Sequence, residues 1–290
     1  LEVQRLRGIK QLGLANLVFP GANHARFEHV LGTAYLVEKL GDRLGIEGDE
    51  LDLLRAAAVL HDIGHPAFSH TLECLMEDYL GKNHMEMAKD LLEGRESLSK
   101  EEKMEIQKLK IPSASEVLAK YGIDVPEVAN LVLGKHRKPY LGQIIHSDID
   151  VDQIDYLLRD GHFTGVALGM VDVDRLMRTF AIRGGKLAVE SKGIEAVEGF
   201  LTARALMFTS VYFHHTVRIA ELMLANAVEF AIREGKTITK ENFYRLTDAE
   251  LIQGLWAIEG YPRAMMVRLK YRRLFKTCLL YTSPSPRDRG

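Results

Sequence analysis

The chain has 290 residues, 47% of them hydrophobic and 27% charged, which is enough to bury one large core or two packed ones and too apolar for a disordered chain. A net charge of −2 gives no general attraction to nucleic acid, so a phosphate-bearing partner has to be held by a local cluster. The two cysteines, Cys74 and Cys278, show no CxxC spacing and fit a reducing compartment; no signal peptide and no apolar run near the ~18 residues of a membrane span is visible, so a cytoplasmic protein is expected.

Helical patterns dominate. "HVLGTAYLVEKLGDRLG" (29–45) places Val30, Leu31, Ala34, Leu36, Val37 and Leu40 at helical spacing before a terminal glycine. "DELDLLRAAAVLHDIGH" (49–65) opens on acids, carries Leu51, Leu54, Ala58 and Val59, and stops at Gly64 and Pro66. Further helices are predicted over 71–81 and over 83–94, the latter with Asn83 as N-cap. The charged stretch 95–110 reads as a solvated helix or connector, and 113–122 and 126–135 as short helices, the second opening on Pro126. Residues 150–165 place Ile154, Leu157 and Leu158 on one face. Alternation around Gly184-Gly185 predicts a β-hairpin at about 181–190. A long helix follows over 193–235, broken once near Thr209. The expected class is all-α with one small hairpin. Leu1 opens in mid-pattern, and "YTSPSPRDRG" (281–290) has no periodicity, so residues from about Leu279 are expected to be non-native.

The chemistry concentrates in "AAAVLHDIGHPAFSH" (56–70). An aspartate beside a histidine at an apolar helix end must be paired, protonated or bound to a cation. His61 and Asp62 could share a cation lying over the helix C-terminus, whose carbonyls favour positive charge. Imidazole and carboxylate suit Fe, Mn, Co, Zn or Ni, and two ligands are too few. "NHARFEH" offers His24 and His29, and "HSDIDVDQIDYLLRD" offers Asp148, Asp150, Asp152, Asp155 and Asp160. A calcium loop starting at Asp148 is rejected, because Gln153 and Arg159 stand where glycine and glutamate are needed. The basic run Lys135, His136, Arg137, Lys138 is expected to face solvent.

"HDIGHPAFSH", preceded by "QRLRGIKQLGLANLVFPGANHARFEH" and followed by "DVDQIDYLLRD", resembles the HD-domain phosphohydrolases, and within them the deoxynucleoside triphosphate triphosphohydrolases. The resemblance runs from about Val3 to about Ala227. It implies an HD-domain helical bundle over 1–165 as the metal-binding catalytic core, and a helical extension over 166–278 that completes the substrate pocket. The metal ligands implied are His29, His61, Asp62 and Asp152, holding one divalent transition metal, with magnesium arriving on the nucleotide. It implies a catalytic group of His65, His70, Glu73 and His84. Glu73 stands where aspartate is more usual, His70 lies close to the attacked phosphorus, and His84 serves the leaving oxygen. It further implies Arg26 as a phosphate ligand, Gln11, Tyr156 and Asp160 at the sugar and its 3′-hydroxyl, and Arg204, Tyr212 and His214 on the phosphate and base sides.

The activity expected from the resemblance is hydrolysis of a dGTP-type dNTP at the α-phosphorus, releasing a deoxynucleoside and intact triphosphate, by a dimer or tetramer. Nucleic acid is not indicated as a partner, and no membrane is. The competing readings are another HD nucleotide phosphatase or phosphodiesterase, and a non-catalytic nucleotide or nucleic-acid sensor.

Overall fold

The computed structural model describes residues 1–95, 100–235 and 237–276, so Cys278 and the tail expected to be non-native lie outside the described residues. In chain order the elements are α1 (Glu2–Arg5), α2 (Arg26–Leu44), α3 (Asp49–Leu60), α4 (His70–Leu80), α5 (His84–Leu92), α6 (Lys100–Leu109), α7 (Ala114–Lys120), α8 (Val125–Val132), α9 (Pro139–Ile145), α10 (Val151–Thr164) and α11 (Val173–Thr179). The hairpin β1 (Phe180–Arg183) and β2 (Lys186–Val189) follows, then α12 (Ile194–Met207), α13 (His215–Glu234), α14 (Asp248–Ala257) and α15 (Tyr261–Lys270). The all-α class with one hairpin is therefore observed. β1 and β2 pair antiparallel, Phe180 opposite Val189 and Arg183 opposite Lys186, around the expected Gly184-Gly185 turn. No helix among the described residues is long and apolar enough to cross a membrane.

Two apolar cores hold the helices. In the first, α2 buries Val30, Leu36, Val37 and Leu40 against Leu54, Ala57 and Ala58 of α3, with α8, α9 and α10 closing round them. The second is built by α13, α14 and α15, yet it also takes Leu72 and Met76 from α4 and Met87 from α5. The segment holding the histidines thus runs between both cores and is pinned from each side. Asp248, at the start of α14, accepts from the backbone N–H of Phe68 at 2.7 Å and of Lys10 at 2.9 Å. Arg5 donates to the carbonyls of His65 (2.8 Å) and Arg245 (2.7 Å), and burial pulls its pKa down to about 10.

Two boundaries beside the site differ from the sequence reading for local reasons, and a third feature is found where it was expected. Helix α2 begins at Arg26 rather than at residue 29, because Glu28 reaches back to the Ala25 N–H at 2.7 Å and closes the first turn. Helix α3 ends at Leu60, so His61 and Asp62 lie in the turn that follows, and His61 and His65 do not share a helix face. The predicted break near Thr209 is a π-helical turn over Phe208–Tyr212 between α12 and α13, a distortion that redirects the side chains it carries. The basic run is only partly solvated: Lys138 pairs with Glu50, and His136 and Arg137 each lie 3.6 Å from Glu127.

Candidate active site

His29 on the first turn of α2, His61 and Asp62 after α3, and Asp152 on the first turn of α10 converge. His29 Nε2 lies 2.9 Å from Asp152 Oδ1 and 3.8 Å from Asp62 Oδ2. His61 Nε2 lies 3.4 Å from Asp62 Oδ1 and 3.6 Å from Asp152 Oδ1. The other ring nitrogens are committed elsewhere: His29 Nδ1 to Asp155 at 2.8 Å, and His61 Nδ1 to the Ala58 carbonyl at 2.9 Å. Both rings are thereby turned so that Nε2 points at the carboxylates, the arrangement by which outer partners orient metal-binding imidazoles. Asp155 is itself gripped by Arg159 through two bonds of 2.8 Å. That pair fits behind His29 only because residue 32 is glycine, where a Cβ would stand 1.8 Å from Asp155 Oδ1.

These residues fit a divalent cation. His61 Nε2 is buried with no hydrogen-bond partner, although it faces two carboxylates. A lone pair cannot bond to a carboxylate oxygen, but a cation satisfies both. The charges agree. Burial opposes a positive His29, yet Asp152 and Asp155 outweigh it and hold its pKa up at about 10. Burial likewise works to raise Asp62, but Arg26, His61 and His65 keep it well below the usual carboxylate range. The cluster draws positive charge to its centre, and two imidazoles with two carboxylates leave room for water and substrate on a first-row metal.

A second group abuts the first. His65 Nε2 lies 3.3 Å from Asp62 Oδ1, and its ring stacks on His84 at 3.9 Å between centroids and meets His70 edge-on at 5.2 Å. Glu73 receives both flanking histidines, His70 Nδ1 at 3.1 Å and His84 Nδ1 in a short contact. Glutamate at 73 therefore bridges His70 and His84. Burial lowers the His65 pKa well below the ordinary value, helped by Arg26 and His84, so its ring is neutral. The stack exists because residue 64 is glycine: a Cβ there would lie 2.0 Å from the His84 carbonyl. Between the turn and α4, Phe68 and Ser69 both adopt positive φ, 54° and 45°, a strained bend that places Ser69 Oγ 2.5 Å from Arg26 Nε.

One cavity of about 410 Å³ joins this centre to the surface, within the roughly 300–1,000 Å³ of small-molecule sites. Arg26, Asp62, His65, His70, His84 and Asp152 line one end. Gln11, Tyr156, Asp160, Phe208 and Tyr212 line the other. Arg26 is buried and bonded through Nη1 to Asp62 at 2.5 Å, while its Nη2 has no partner. A larger hollow, about 700 Å³, lies behind the histidine turn between Arg5, Ile63, Met87 and Ile106, and includes none of the four clustered side chains.

Comparison with known proteins bears on this geometry. The family model of the HD domain matches residues 26–160, and that of an HD-associated region matches 171–285. The solved structure of a phosphohydrolase from Bacteroides thetaiotaomicron superposes with a TM-score of 0.76 at 29% identity, over 95% of this chain and 71% of that one. A hypothetical protein from Aquifex aeolicus gives 0.75 at 35% identity, over 96% and 71%. The chain belongs to the HD-domain superfamily. It is 30% identical over 240 residues to the deoxynucleoside triphosphate triphosphohydrolase SAMHD1 homolog of Dictyostelium discoideum, covering 78% of this chain and 44% of that protein. It is 38% identical over 285 residues to an uncharacterized protein of Methanocaldococcus jannaschii, covering 97% and 55%. The chain thus spans about half the length of these curated relatives. Its branch of the HD superfamily is the one that holds the dNTP triphosphohydrolases.

Not every residue expected in this HD site lines its cavity. Arg204 instead donates to Gln153 Oε1 at 3.1 Å, with its guanidinium 5.8 Å from the Phe208 ring centroid. His214 caps α13, its Nδ1 accepting from the Thr216 N–H at 3.3 Å. His24, a candidate ligand by type, is bonded to Asp160 rather than to the cluster. Four polar lining residues escaped the sequence reading: Ser69, His146, Arg218 and Glu221. Arg218 and Glu221 carried a usable signal, since at i and i+3 they are neighbours of opposite charge on the surface of α13. They pair at 2.6 Å, and burial raises Glu221 in spite of Arg218. Asp155, offered as one of five candidate aspartates, is set apart by its spacing, i+3 from Asp152 and i−4 from Arg159.

Proposed function

We propose that the chain hydrolyses deoxynucleoside triphosphates, of the dGTP type, at the α-phosphorus, with water attacking phosphorus and the 5′-oxygen leaving as the hydroxyl of a deoxynucleoside while intact triphosphate is released. The observation that carries this reading is the single cavity. Asp62, Asp152 and an unpaired Arg26 N–H line one end, the two carboxylates being those that His29 and His61 approach, and hydroxyl-accepting Gln11 and Asp160 line the other.

The metal would be held by His29, His61, Asp62 and Asp152, and the donor set suits Fe, Mn, Co, Zn or Ni. Such a cation supplies Lewis-acid neutralisation of a phosphoryl oxygen and lowers the pKa of water at the site. Arg26 holds a phosphate oxygen through Nη2, with its remaining nitrogens fixed by Asp62 and Ser69 so that no reorganisation is needed. Neutral His65 packs the phosphorus side beside His70. His84, with Nδ1 anchored on Glu73, presents Nε2 to carry the proton to the leaving oxygen. Tyr156 lies against the sugar, and Asp160 and Gln11 accept from its hydroxyl. A dimer or tetramer is part of this reading, and sedimentation velocity tests it.

Incubation of the manganese-loaded protein with each dNTP, followed by separation of the phosphate products, tests the proposal. Free triphosphate with deoxynucleoside is expected. Inorganic phosphate would instead mark a phosphatase, and binding with no product a sensor.

A further inference from the structure

Within a cavity read as taking a polyanion, a buried carboxylate is tolerable only where the ligand offers a hydrogen-bond donor. Asp160 is such a group, and its two oxygens are each held by one protein donor. His24 Nε2–H reaches Oδ1 at 2.8 Å and the Tyr212 hydroxyl reaches Oδ2 at 2.8 Å. A carboxylate oxygen accepts in two directions, so one acceptor site on each remains. Nearby, Gln11 Oε1 is buried and lacks any partner. Gln11 and Asp160, which line the same cavity, thus both keep an acceptor site that no protein donor fills.

One residue touches both. The His24 carbonyl accepts from the Gln11 N–H at 3.0 Å, part of a short antiparallel bridge centred on Lys10 and Ala25. The His24 side chain is fully enclosed, and its ring stacks on Phe163 of α10 at 4.4 Å and 13°. Two residues further on, at the start of α2, Arg26 serves the opposite end of the cavity.

We propose that His24 is a positioning residue for the sugar: its ring fixes Asp160 and its carbonyl fixes Gln11, so that the pair reads the 3′-hydroxyl of the nucleotide. The proposal rests on the nucleotide reading above. Tyr212 and His24 pull on opposite oxygens, which stops the carboxylate from rotating, and Phe163 stops the imidazole. Removing the imidazole frees Asp160 to turn and removes selection for the 3′-hydroxyl, whatever happens to the chemistry at phosphorus.

The test compares dGTP with 2′,3′-dideoxy-GTP on the manganese-loaded protein. Wild type is expected to favour dGTP by about tenfold or more in kcat/KM, because a site built to bond a hydroxyl rejects the analogue lacking it. His24→Phe keeps the stack on Phe163 and loses the donor, so it holds the fold while the ratio drops to within about threefold of one, mostly through KM for dGTP. His24→Gln keeps an N–H donor and is expected to restore part of the preference. Melting curves check that each variant is folded. A folded His24→Phe with the wild-type ratio overturns the proposal, as does a wild type with no preference. If wild type cleaves neither compound, the hydrolase reading fails on its own. The inference is then read from nucleotide-induced melting shifts, where a dGTP-over-dideoxy difference present in wild type and absent in His24→Phe supports it and any other pattern overturns it.

Discussion

The two ends of the cavity treat the same side chain in opposite ways. At the inner end Asp62 and Asp152 face imidazole nitrogens whose other ring atoms are already bonded, and the pair draws positive charge to a central point. At the outer end Asp160 is as buried as Asp62 and more so than Asp152, and one donor, His24 or Tyr212, holds each of its oxygens. A buried carboxylate can be compensated by charge or by hydrogen bonds, and the choice decides what it can bind. The inner pair takes a cation. The outer one takes a hydroxyl.

Substitutions that exchange these roles test the contrast, and the largest effect is expected at the inner end. Asp62→Asn removes one of the two negative charges and breaks the pair with Arg26. Metal content should fall and dNTP cleavage drop by about 10³-fold or more. Elemental analysis with product release checks this, and full activity without metal would break the comparison. Gly64→Ala comes next, since the new Cβ meets the His84 carbonyl at 2.0 Å. About 1–3 kcal/mol of stability should be lost, and the stack of His65 on His84 with it, measured as a lower Tm and a slower turnover at unchanged metal content. Tyr212→Phe perturbs the outer end alone. It should raise KM for a dNTP by about tenfold or less and leave bound metal unchanged; lost metal would mean that the two ends are not separable.

The smallest effect is a pH dependence. Burial pushes the Glu73 carboxyl up from 4.5, but its bonds to His70 and His84 outweigh this and hold it well below. A depressed carboxylate contributes stability that is fully present above pH 4.5 and is lost as pH falls below it. Wild type should therefore lose more Tm than Glu73→Gln on acidification below that point. Parallel melting profiles would show that the bridge to His70 and His84 carries no such stabilisation.

The contrast also explains what was legible beforehand. The resemblance named His29, His61, Asp62 and Asp152 together, whereas residue type alone left His24 and four other aspartates open, and the helices followed from apolar spacing such as Val30, Val37 and Leu40. What stayed hidden depends on pairs distant in sequence. Nothing local to "NHARFEH" separates His24 from His29, because His24 finds its partner 136 residues away. The end of α3 at Leu60 was hidden because the alanine-leucine pattern runs smoothly into His61. The π-helical turn at 208–212 was foreshadowed only as a break, since an extra residue per turn leaves no composition signal, yet it aims Phe208 and Tyr212 into the cavity. Gly32 and Gly64 read as ordinary helix and turn glycines until the atoms beside them are known.

The central claim is that one cation is held jointly by His29, His61, Asp62 and Asp152. Anomalous diffraction from crystals grown with manganese tests it most directly. A single strong peak within about 2–2.3 Å of a donor atom from each of the four side chains is the result predicted. A peak elsewhere, for instance among His65, His70 and Glu73, or none between the four, would contradict it.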